Sequence, residues 1–279
     1  MKVLLLGTGA ADGIPALFCD CAVCRFAREH GGRETRSRSA ALVDGCLKID
    51  LGPDTLSQVH THRLNPADWK WLAYTHSHDD HFAPRELQYL FPPFATETTP
   101  SLEILANAKL VEKIRCMAPE AESLPARVIR PFETAKLGPY RVTALLATHQ
   151  NGDEDALNLL IDDGCSLLLY ATDTGWWEER TWHAVESLPK PLDLLVVDCA
   201  HGDRMIEYNG HMGVEMVLRM RDRLMKSGAI AETSRVVSTH HCHRGGLTYE
   251  QLVARLELHG VQAGYDGMCI EIGDTPQES

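Results

Sequence analysis

Segment 76–81 is the most constraining feature of this sequence. It places three histidines and two aspartates within six residues, directly after the apolar segment 71–75. Only 14 histidines occur in the whole chain of 279 residues, so chance accounts poorly for this density. A strand end places its side chains at the rim of a sheet, where loops can converge on a ligand. Imidazole and carboxylate groups bind Zn²⁺ and other first-row divalent ions, and the segment therefore predicts a metal site at a sheet edge.

A site for two metal ions needs more ligands than this segment supplies. Three further candidates share one pattern, in which an apolar strand ends in threonine and a histidine or aspartate follows. Taken singly, either histidine fits a surface or core position, and the aspartate fits a turn or a helix cap. The repetition of the pattern favours a shared site. The three candidates are His149, Asp173 and His240.

Short apolar segments alternate with turn signals along the chain, and no internal repeat or Gly/Ser linker divides it. Helical periodicity is clearest near 213–226 and 249–259, and further helices are predicted near 177–187 and 84–90. Strands with helices between them indicate sheets covered by helices, and the hairpin-like spacing of the first half favours mixed sheets. Strands are predicted at 3–6, 40–43, 47–50, 71–75, 102–106, 140–147, 157–161, 166–171, 192–197, 236–239 and 268–272.

Charge and hydropathy exclude several classes of protein. A formal net charge of −12 argues against an extended nucleic-acid-binding face, which relies on clustered Lys and Arg. No segment approaches the ~18 apolar residues of a transmembrane helix. The apolar opening 3–6 is too short for a signal-peptide core. We therefore expect a cytoplasmic protein with no membrane partner, in which the nine cysteines stay reduced.

A cysteine cluster in the first 25 residues indicates a second kind of metal site. Cys19, Cys21 and Cys24 have the spacing Cys-x-Cys-x-x-Cys, which lets three thiolates surround one tetrahedral ion. A fourth ligand is needed to complete such a site. The alternatives are three reduced thiols on a loop or a redox pair, and the close spacing favours metal binding.

The histidine and aspartate pattern resembles that of the metallo-β-lactamase superfamily. The shared elements are His-x-His-x-Asp-His followed by a distant His, then an Asp, then a His. The resemblance implies one domain over residues 1–279, an α/β (α+β) protein with a four-layer αββα sandwich of two mixed β-sheets. It also implies that Ser77 and Asp79 are not ligands. One metal would be held by His76, His78 and His149, a second by Asp80, His81 and His240, and Asp173 would bridge both.

Segments 6–9 (Leu-Gly-Thr-Gly) and 49–52 (Ile-Asp-Leu-Gly), with the cysteine loop, resemble the phosphoribosyl cyclic phosphodiesterase (PhnP) subgroup of that superfamily. In the subgroup, a histidine three residues beyond the last active-site histidine completes a structural zinc site with the cysteines. That position is His243 here, and the neighbouring Cys242 is an alternative fourth ligand. The implied zinc would tie the cysteine loop to the loop that carries His240.

His211 is the candidate proton donor. It precedes the predicted helix near 213–226 and resembles the proton-donating histidine of phosphodiesterase branches that include tRNase Z. Histidine suits this task because its pKa lies near working pH. Asp198 could orient it, His201 is an alternative donor, and a capping or surface role is the other interpretation of His211. The expected catalytic residues are therefore His211, Asp80 and Asp173.

Together these features predict a dinuclear metal-dependent hydrolase, expected to be a phosphodiesterase that uses a hydroxide shared by its metals. Its cofactors would be two divalent ions, Zn or Mn, and one structural Zn. Its substrate would be a small or cyclic phosphodiester. Arg36, Arg38 and Arg244 are candidates to hold a second phosphate, with an ordinary solvated position as the alternative for each. A homodimer is one expected assembly, since dimers are the commonest soluble oligomers. The alternatives are a metal-binding accessory protein resembling the pyrroloquinoline-quinone biosynthesis member of the fold and a hydrolase of another ester class. Segments 90–99 and 201–210 are expected to form pocket walls.

Overall fold

Two seven-stranded β-sheets pack face to face at the centre of the molecule. The computed structural model describes residues 1–96, 101–149, 152, 154–204 and 206–273. Its strands are β1 (Lys2–Gly7), β2 (Ala40–Val43), β3 (Leu47–Ile49), β4 (Trp71–Ala73), β5 (Glu103–Ala106), β6 (Ala126–Val128), β7 (Thr134–Leu137), β8 (Tyr140–Leu146), β9 (Leu157–Asp162), β10 (Leu167–Ala171), β11 (Leu192–Asp198), β12 (Ile230–Thr239), β13 (Val261–Ala263) and β14 (Cys269–Glu271). Its α-helices are α1 (Ala22–His30), α2 (Thr55–His62), α3 (Ala108–Met117), α4 (Glu179–Glu186), α5 (Val214–Ser227) and α6 (Tyr249–Leu256).

Both sheets are mixed. The first has the order β14-β1-β2-β3-β4-β5-β6, antiparallel from β14 to β3 and parallel from β3 to β6. The second has the order β13-β12-β11-β10-β9-β8-β7, parallel from β13 to β10 and antiparallel from β10 to β7. With helices on the outer faces, this arrangement confirms the predicted αββα sandwich of two mixed sheets.

Alternation along the strands divides the apolar side chains between three layers, since successive side chains point to opposite faces of a sheet. Leu47 and Ile49 of β3 lie in the layer between the sheets, together with Val142 of β8 and Val196 of β11. A second layer joins the second sheet to α4, α5 and α6, and a third joins the first sheet to α3. Burial on both faces is what gives the central strands their nearly continuous apolar sequences.

The predicted strands all occur, and the strands that were not predicted lie at sheet edges. Three short strands, β6, β7 and β13, lie at sheet edges, and every residue of β6 is exposed. An edge strand needs no long apolar segment, so the sequence carries little signal for it. The predicted helix near 84–90 is instead a 3₁₀ helix, Pro84–Leu90, and helices α1, α2 and α3 were not anticipated.

No helix in the described part of the chain is both long enough and apolar enough to cross a membrane.

Strand β3 of the first sheet carries a buried lysine. Lys48 is fully buried; its Nζ donates to the backbone oxygens of Ile49 and Asp50 and lies 5.8 Å from the centre of the Trp69 ring. Burial lowers the pKa of Lys48 to about 7, although the charge of Asp50 acts in the opposite direction. In the folded protein this side chain therefore either loses its proton or carries a buried positive charge.

We expect Lys48→Met to raise the midpoint of thermal unfolding at pH 7. Between pH 7 and about 10 the unfolded chain binds a proton at Lys48 that the folded chain lacks, so the native protein gains stability as pH rises through that window. The methionine variant should lack this gain, which is on the order of 5 kcal/mol at most. Denaturant unfolding across this pH range measures it. Lys70→Met, at an exposed position, is the control. Equal pH slopes for Lys48→Met and the unmodified protein would refute this account.

Candidate functional site

The predicted ligands meet at one edge of the sandwich because their strands end there. The parallel neighbours β10, β11 and β12 end at the same edge, and β8 runs in the direction of β10 since both are antiparallel to β9. The turn after β4 joins them from the first sheet, where the backbone nitrogen of Leu157 donates to the oxygen of Thr75 at 3.0 Å. Five separate loops therefore surround one depression.

Three imidazoles form the first donor cluster. Nε2 of His76 and Nε2 of His149 each lie 3.0 Å from Nδ1 of His78. These three nitrogens lie within 4.8 Å of one another. Three ring nitrogens that converge on one point in this way could hold a single metal ion.

Two carboxylates and two imidazoles form the second donor cluster, whose ligand atoms also lie within 4.8 Å of one another. Nε2 of His81 lies 3.2 Å from Oδ2 of Asp80 and 2.9 Å from Oδ2 of Asp173. Nε2 of His240 lies 3.2 Å from Oδ1 of Asp173. All four residues are buried.

Asp173 lies between the two clusters. Its Oδ1 is 3.8 Å from Nε2 of His76 and 3.7 Å from Nε2 of His149, in addition to its contacts with the second cluster. The backbone of Asp173 has φ = 50° and that of His240 has φ = 58°, in the left-handed region that residues other than glycine seldom occupy. Such strain is concentrated at functional positions, where the surrounding structure enforces it.

Polar partners outside the clusters fix four of the rings. Each ring donates from its Nδ1 to an oxygen, which leaves its Nε2 to face the cluster. The acceptors are Thr75 Oγ1 for His76 (3.0 Å), Asp50 Oδ2 for His81 (2.7 Å), the backbone oxygen of Gly210 for His149 (3.0 Å) and Ser39 Oγ for His240 (3.1 Å).

Asp50 is an important residue of the site to which the sequence assigned no role. Its carboxylate is fully buried and accepts from the Thr75 backbone nitrogen at 2.8 Å, from Thr75 Oγ1 at 2.9 Å and from His81. A single aspartate thereby positions the loop 76–81 and orients one of its imidazoles. Its position after the apolar strand β3 carries the same signal as that of Asp173, and that signal could have identified it.

The donor atoms fit divalent cations. Oδ2 of Asp80 and Nε2 of His81 are buried and, in the part of the chain described, form no hydrogen bond of good geometry despite the short N···O distances from His81 to Asp80 and Asp173. Burial acts to lower the pKa of His81, but the carboxylates of Asp173, Asp80 and Asp50 raise it well above its ordinary value. Burial lowers the pKa of four other imidazoles and keeps them in the neutral form that binds metals; they belong to His76, His78, His149 and His240.

His211 lies beside both clusters and is paired with Asp198. Its Nδ1 is 2.9 Å from Oδ2 of Asp198, whose Oδ1 accepts from the backbone nitrogens of Met212 and Ala200. The His211 ring stacks on that of His240, with centres 5.2 Å apart. Burial opposes the protonation of His211, but Asp198 outweighs it and raises the pKa of His211 to about 9.

A cavity of about 380 Å³ opens over these groups. As expected, segment 201–210 forms part of its wall, whereas the described residues of segment 90–99 do not border it; residues 97–99 lie outside the described part. The lining residues are Ala10, Ala11, Asp12, His78, Asp80, His149, Asp173, Ala200, His201, Ile206, Tyr208, His211, His240, Cys242 and Arg244.

Of the three arginines suggested for a second phosphate, Arg244 lines this cavity. The expectation is wrong for Arg36, which is 3% exposed and donates from Nη1 to Thr8 and to the backbone of Gly264. Arg38 lies outside the cavity wall and pairs with Asp54 at 2.8 Å.

The cysteine cluster forms a third donor group. Cys19, Cys21, Cys24 and His243 place their ligand atoms within 4.8 Å of one another. Nδ1 of His243 lies 3.4 Å from Sγ of Cys19 and 3.5 Å from Sγ of Cys21. The geometry thus groups His243 with the three thiols, while Cys242 lines the cavity instead.

Comparison with known proteins agrees with this architecture. A family model described as a beta-lactamase superfamily domain matches residues 47–241. The octanoyltransferase of Porphyromonas gingivalis (strain ATCC BAA-308 / W83) is 35% identical over 83 residues, which are 29% of this chain and 16% of that protein. The chain thus matches only a small part of that curated relative.

Several solved structures share the fold over nearly all of the chain. A new diphosphatase from the PhnP family is 20% identical with a TM-score of 0.75, covering 97% of each chain. Zn²⁺-bound PqqB from Methylobacterium extorquens is 19% identical with a TM-score of 0.72, covering 97% of this chain and 100% of that one. Human tRNase Z, short form, is 19% identical with a TM-score of 0.67, covering 98% and 100%. At these identities the likeness concerns the fold alone, and it is the family match over residues 47–241 that places the chain in the metallo-β-lactamase superfamily.

Proposed function

We propose that this metal-dependent hydrolase cleaves a small or cyclic phosphodiester. The observation that carries the proposal is the position of His211, which stacks on His240 and faces the cavity beside both donor clusters. Cleavage of a phosphodiester requires a proton for the departing oxygen, and a histidine at this position can supply it.

The two donor clusters would each hold one divalent ion, Zn or Mn, with Asp173 between them. Bound there, two such ions would neutralise phosphate charge and lower the pKa of a bound water. The chain's own contribution is positional. The Thr75, Asp50, Gly210 and Ser39 oxygens hold the imidazoles in place, and Asp198 holds Nδ1 of His211 so that Nε2 is left for the substrate.

The third donor group, Cys19, Cys21, Cys24 and His243, would hold one structural zinc. Thiolate and imidazole are the ligands of structural zinc sites, and such a site contributes to folding. A small-molecule substrate rather than an extended nucleic acid suits the net charge of −12. The cytoplasmic location, the homodimer and a single domain over residues 1–279 stay predictions.

The direct test measures substrate class and metal content together. We expect turnover of bis(p-nitrophenyl) phosphate that a chelator abolishes and Mn²⁺ or Zn²⁺ restores, with about three metal ions per chain by elemental analysis. Turnover of p-nitrophenyl acetate, with none of the phosphodiester, would refute the proposed substrate class.

Two other candidate functions have specific support. The accessory alternative draws on the likeness to PqqB, and about one metal ion per chain with no turnover would favour it. A hydrolase of carboxylic esters or thioesters draws on the partial match to an octanoyltransferase, whose name denotes acyl transfer. We favour the phosphodiesterase because all seven active-site donors converge and His211 lies beside them.

A further inference from the structure

Asp12 connects the cysteine cluster with the wall of the cavity. Its Oδ2 lies 3.4 Å from Nε2 of His243 and 3.7 Å from Nε of Arg244, and it accepts a hydrogen bond from Sγ of Cys242 at 3.5 Å. Asp12, Cys242 and Arg244 all line the cavity. One carboxylate therefore contacts a residue of the third donor group on one side and cavity residues on the other.

The two ring nitrogens of His243 face different partners. Nδ1 faces the thiols of Cys19 and Cys21, while Nε2 faces Asp12. A carboxylate at Nε2 favours the tautomer that carries its proton there, which frees the Nδ1 lone pair for a metal ion. Carboxylates that orient histidine ligands in this way strengthen metal binding in other sites.

Asp12, Cys242 and His243 could themselves be considered as a metal site, because their ligand atoms lie within 4.8 Å of one another. The guanidinium of Arg244 argues against this interpretation. Its Nε donates to Sγ of Cys242 at 3.5 Å and lies close to Asp12, so a positive charge is already provided at this point. The carboxylate is thus placed to pair with Arg244 and His243.

We propose that Asp12 is a positioning residue for metal binding by the cysteine cluster, and that it couples this cluster to the cavity wall through Arg244. The proposal rests on the structural zinc proposed above. Without the carboxylate, His243 loses the contact that fixes its ring, and the metal ion should leave the cluster faster.

Cobalt substitution tests this independently of turnover. Thiolate-bound Co²⁺ has a charge-transfer band in the near ultraviolet, and histidine and carboxylate ligands give no such band, so the signal excludes cobalt held by the two active-site donor clusters. The decay of this band after addition of excess chelator gives the release rate. Losing such a partner usually lowers metal affinity about 10- to 100-fold. We expect this loss to arise from release, so that Asp12→Ala releases Co²⁺ about 10- to 100-fold faster than the unmodified protein.

Asp20→Ala is the matched control. Asp20 lies in the same loop between Cys19 and Cys21, but its carboxylate is exposed and pairs with Arg25 and Arg28. This variant should release Co²⁺ at the unmodified rate. Asp12→Asn keeps an acceptor oxygen, should release at an intermediate rate, and carries the test if Asp12→Ala does not fold.

The outcomes separate this inference from the proposal it rests on. If the unmodified protein shows no thiolate–cobalt band, both the structural zinc and the role of Asp12 are refuted. If the band is present and the Asp12 variants release Co²⁺ no faster than Asp20→Ala, the role of Asp12 alone is refuted.

Discussion

Replacing Asp80 by alanine is expected to remove the metal ion from the second donor cluster and to lower phosphodiester turnover by more than about 100-fold. Loss of a residue that only orients a metal ligand already lowers metal affinity or activity by up to about 100-fold. Asp80 is proposed as a ligand itself. Its Oδ2 is buried 3.2 Å from Nε2 of His81 and forms no hydrogen bond of good geometry with any described residue. Elemental analysis after gel filtration and steady-state kinetics measure the two effects.

Asp79 provides a control of the same chemical type at the adjacent position. Its side chain is exposed and belongs to none of the three donor groups described above. We expect Asp79→Ala to keep its metal content and most of its turnover. Equal metal loss in the Asp79 and Asp80 variants would contradict the assignment of the second cluster.

Replacing His211 by alanine is expected to lower turnover by about 10²- to 10⁴-fold, the range for loss of a general acid. The metal content should not change, because Nδ1 of His211 pairs with Asp198 and His211 belongs to neither of the two active-site donor clusters. The loss should be greatest for substrates whose departing oxygen is most basic. Comparing phosphodiesters with different leaving groups therefore separates a lost proton donor from a disturbed fold.

His201→Ala is the matched control for this experiment. His201 also lines the cavity, and its ring centre is 5.7 Å from that of His211. We expect a much smaller loss for this variant. If His201→Ala loses the turnover that His211→Ala retains, the proton donor is His201 instead.

Much of the fold could be predicted because burial leaves a strong pattern in the sequence. The central strand β10 is apolar along its length, and β11 is apolar from Leu194 to Val197, because both faces of the sheet are covered. The edge strand β6 is exposed throughout and lacks that pattern, so only pairing with β5 identifies it. The order of the strands depends on such pairings and does not follow from local sequence.

The candidate site also has a part that could be predicted from the sequence and a part that could not. The active-site donors could be predicted because they lie on loops that follow strand ends, and the three cysteines because of their close spacing. All have the residue types of metal sites. Apart from Thr75, which adjoins His76, the partners that orient them come from distant parts of the chain. Ser39 contacts His240 across 201 positions and Asp50 contacts His81 across 31. Asp12 and His243 are similarly far apart. No local pattern marks Ser39 or Asp12 for such a contact, which only the folded chain creates, whereas the position of Asp50 directly after β3 does carry a signal.

The separation of the five loops has a consequence for how the protein matures during synthesis. The ligand-bearing segment 76–81 leaves the ribosome early, but His240 and His243 come more than 150 residues later. Domains generally fold as units as the chain emerges, and here no donor group except the first can be complete until that late segment is available. The segment that carries His240 and His243 therefore decides when the second and third donor groups can form, and a nascent chain stalled before it could complete only the first group.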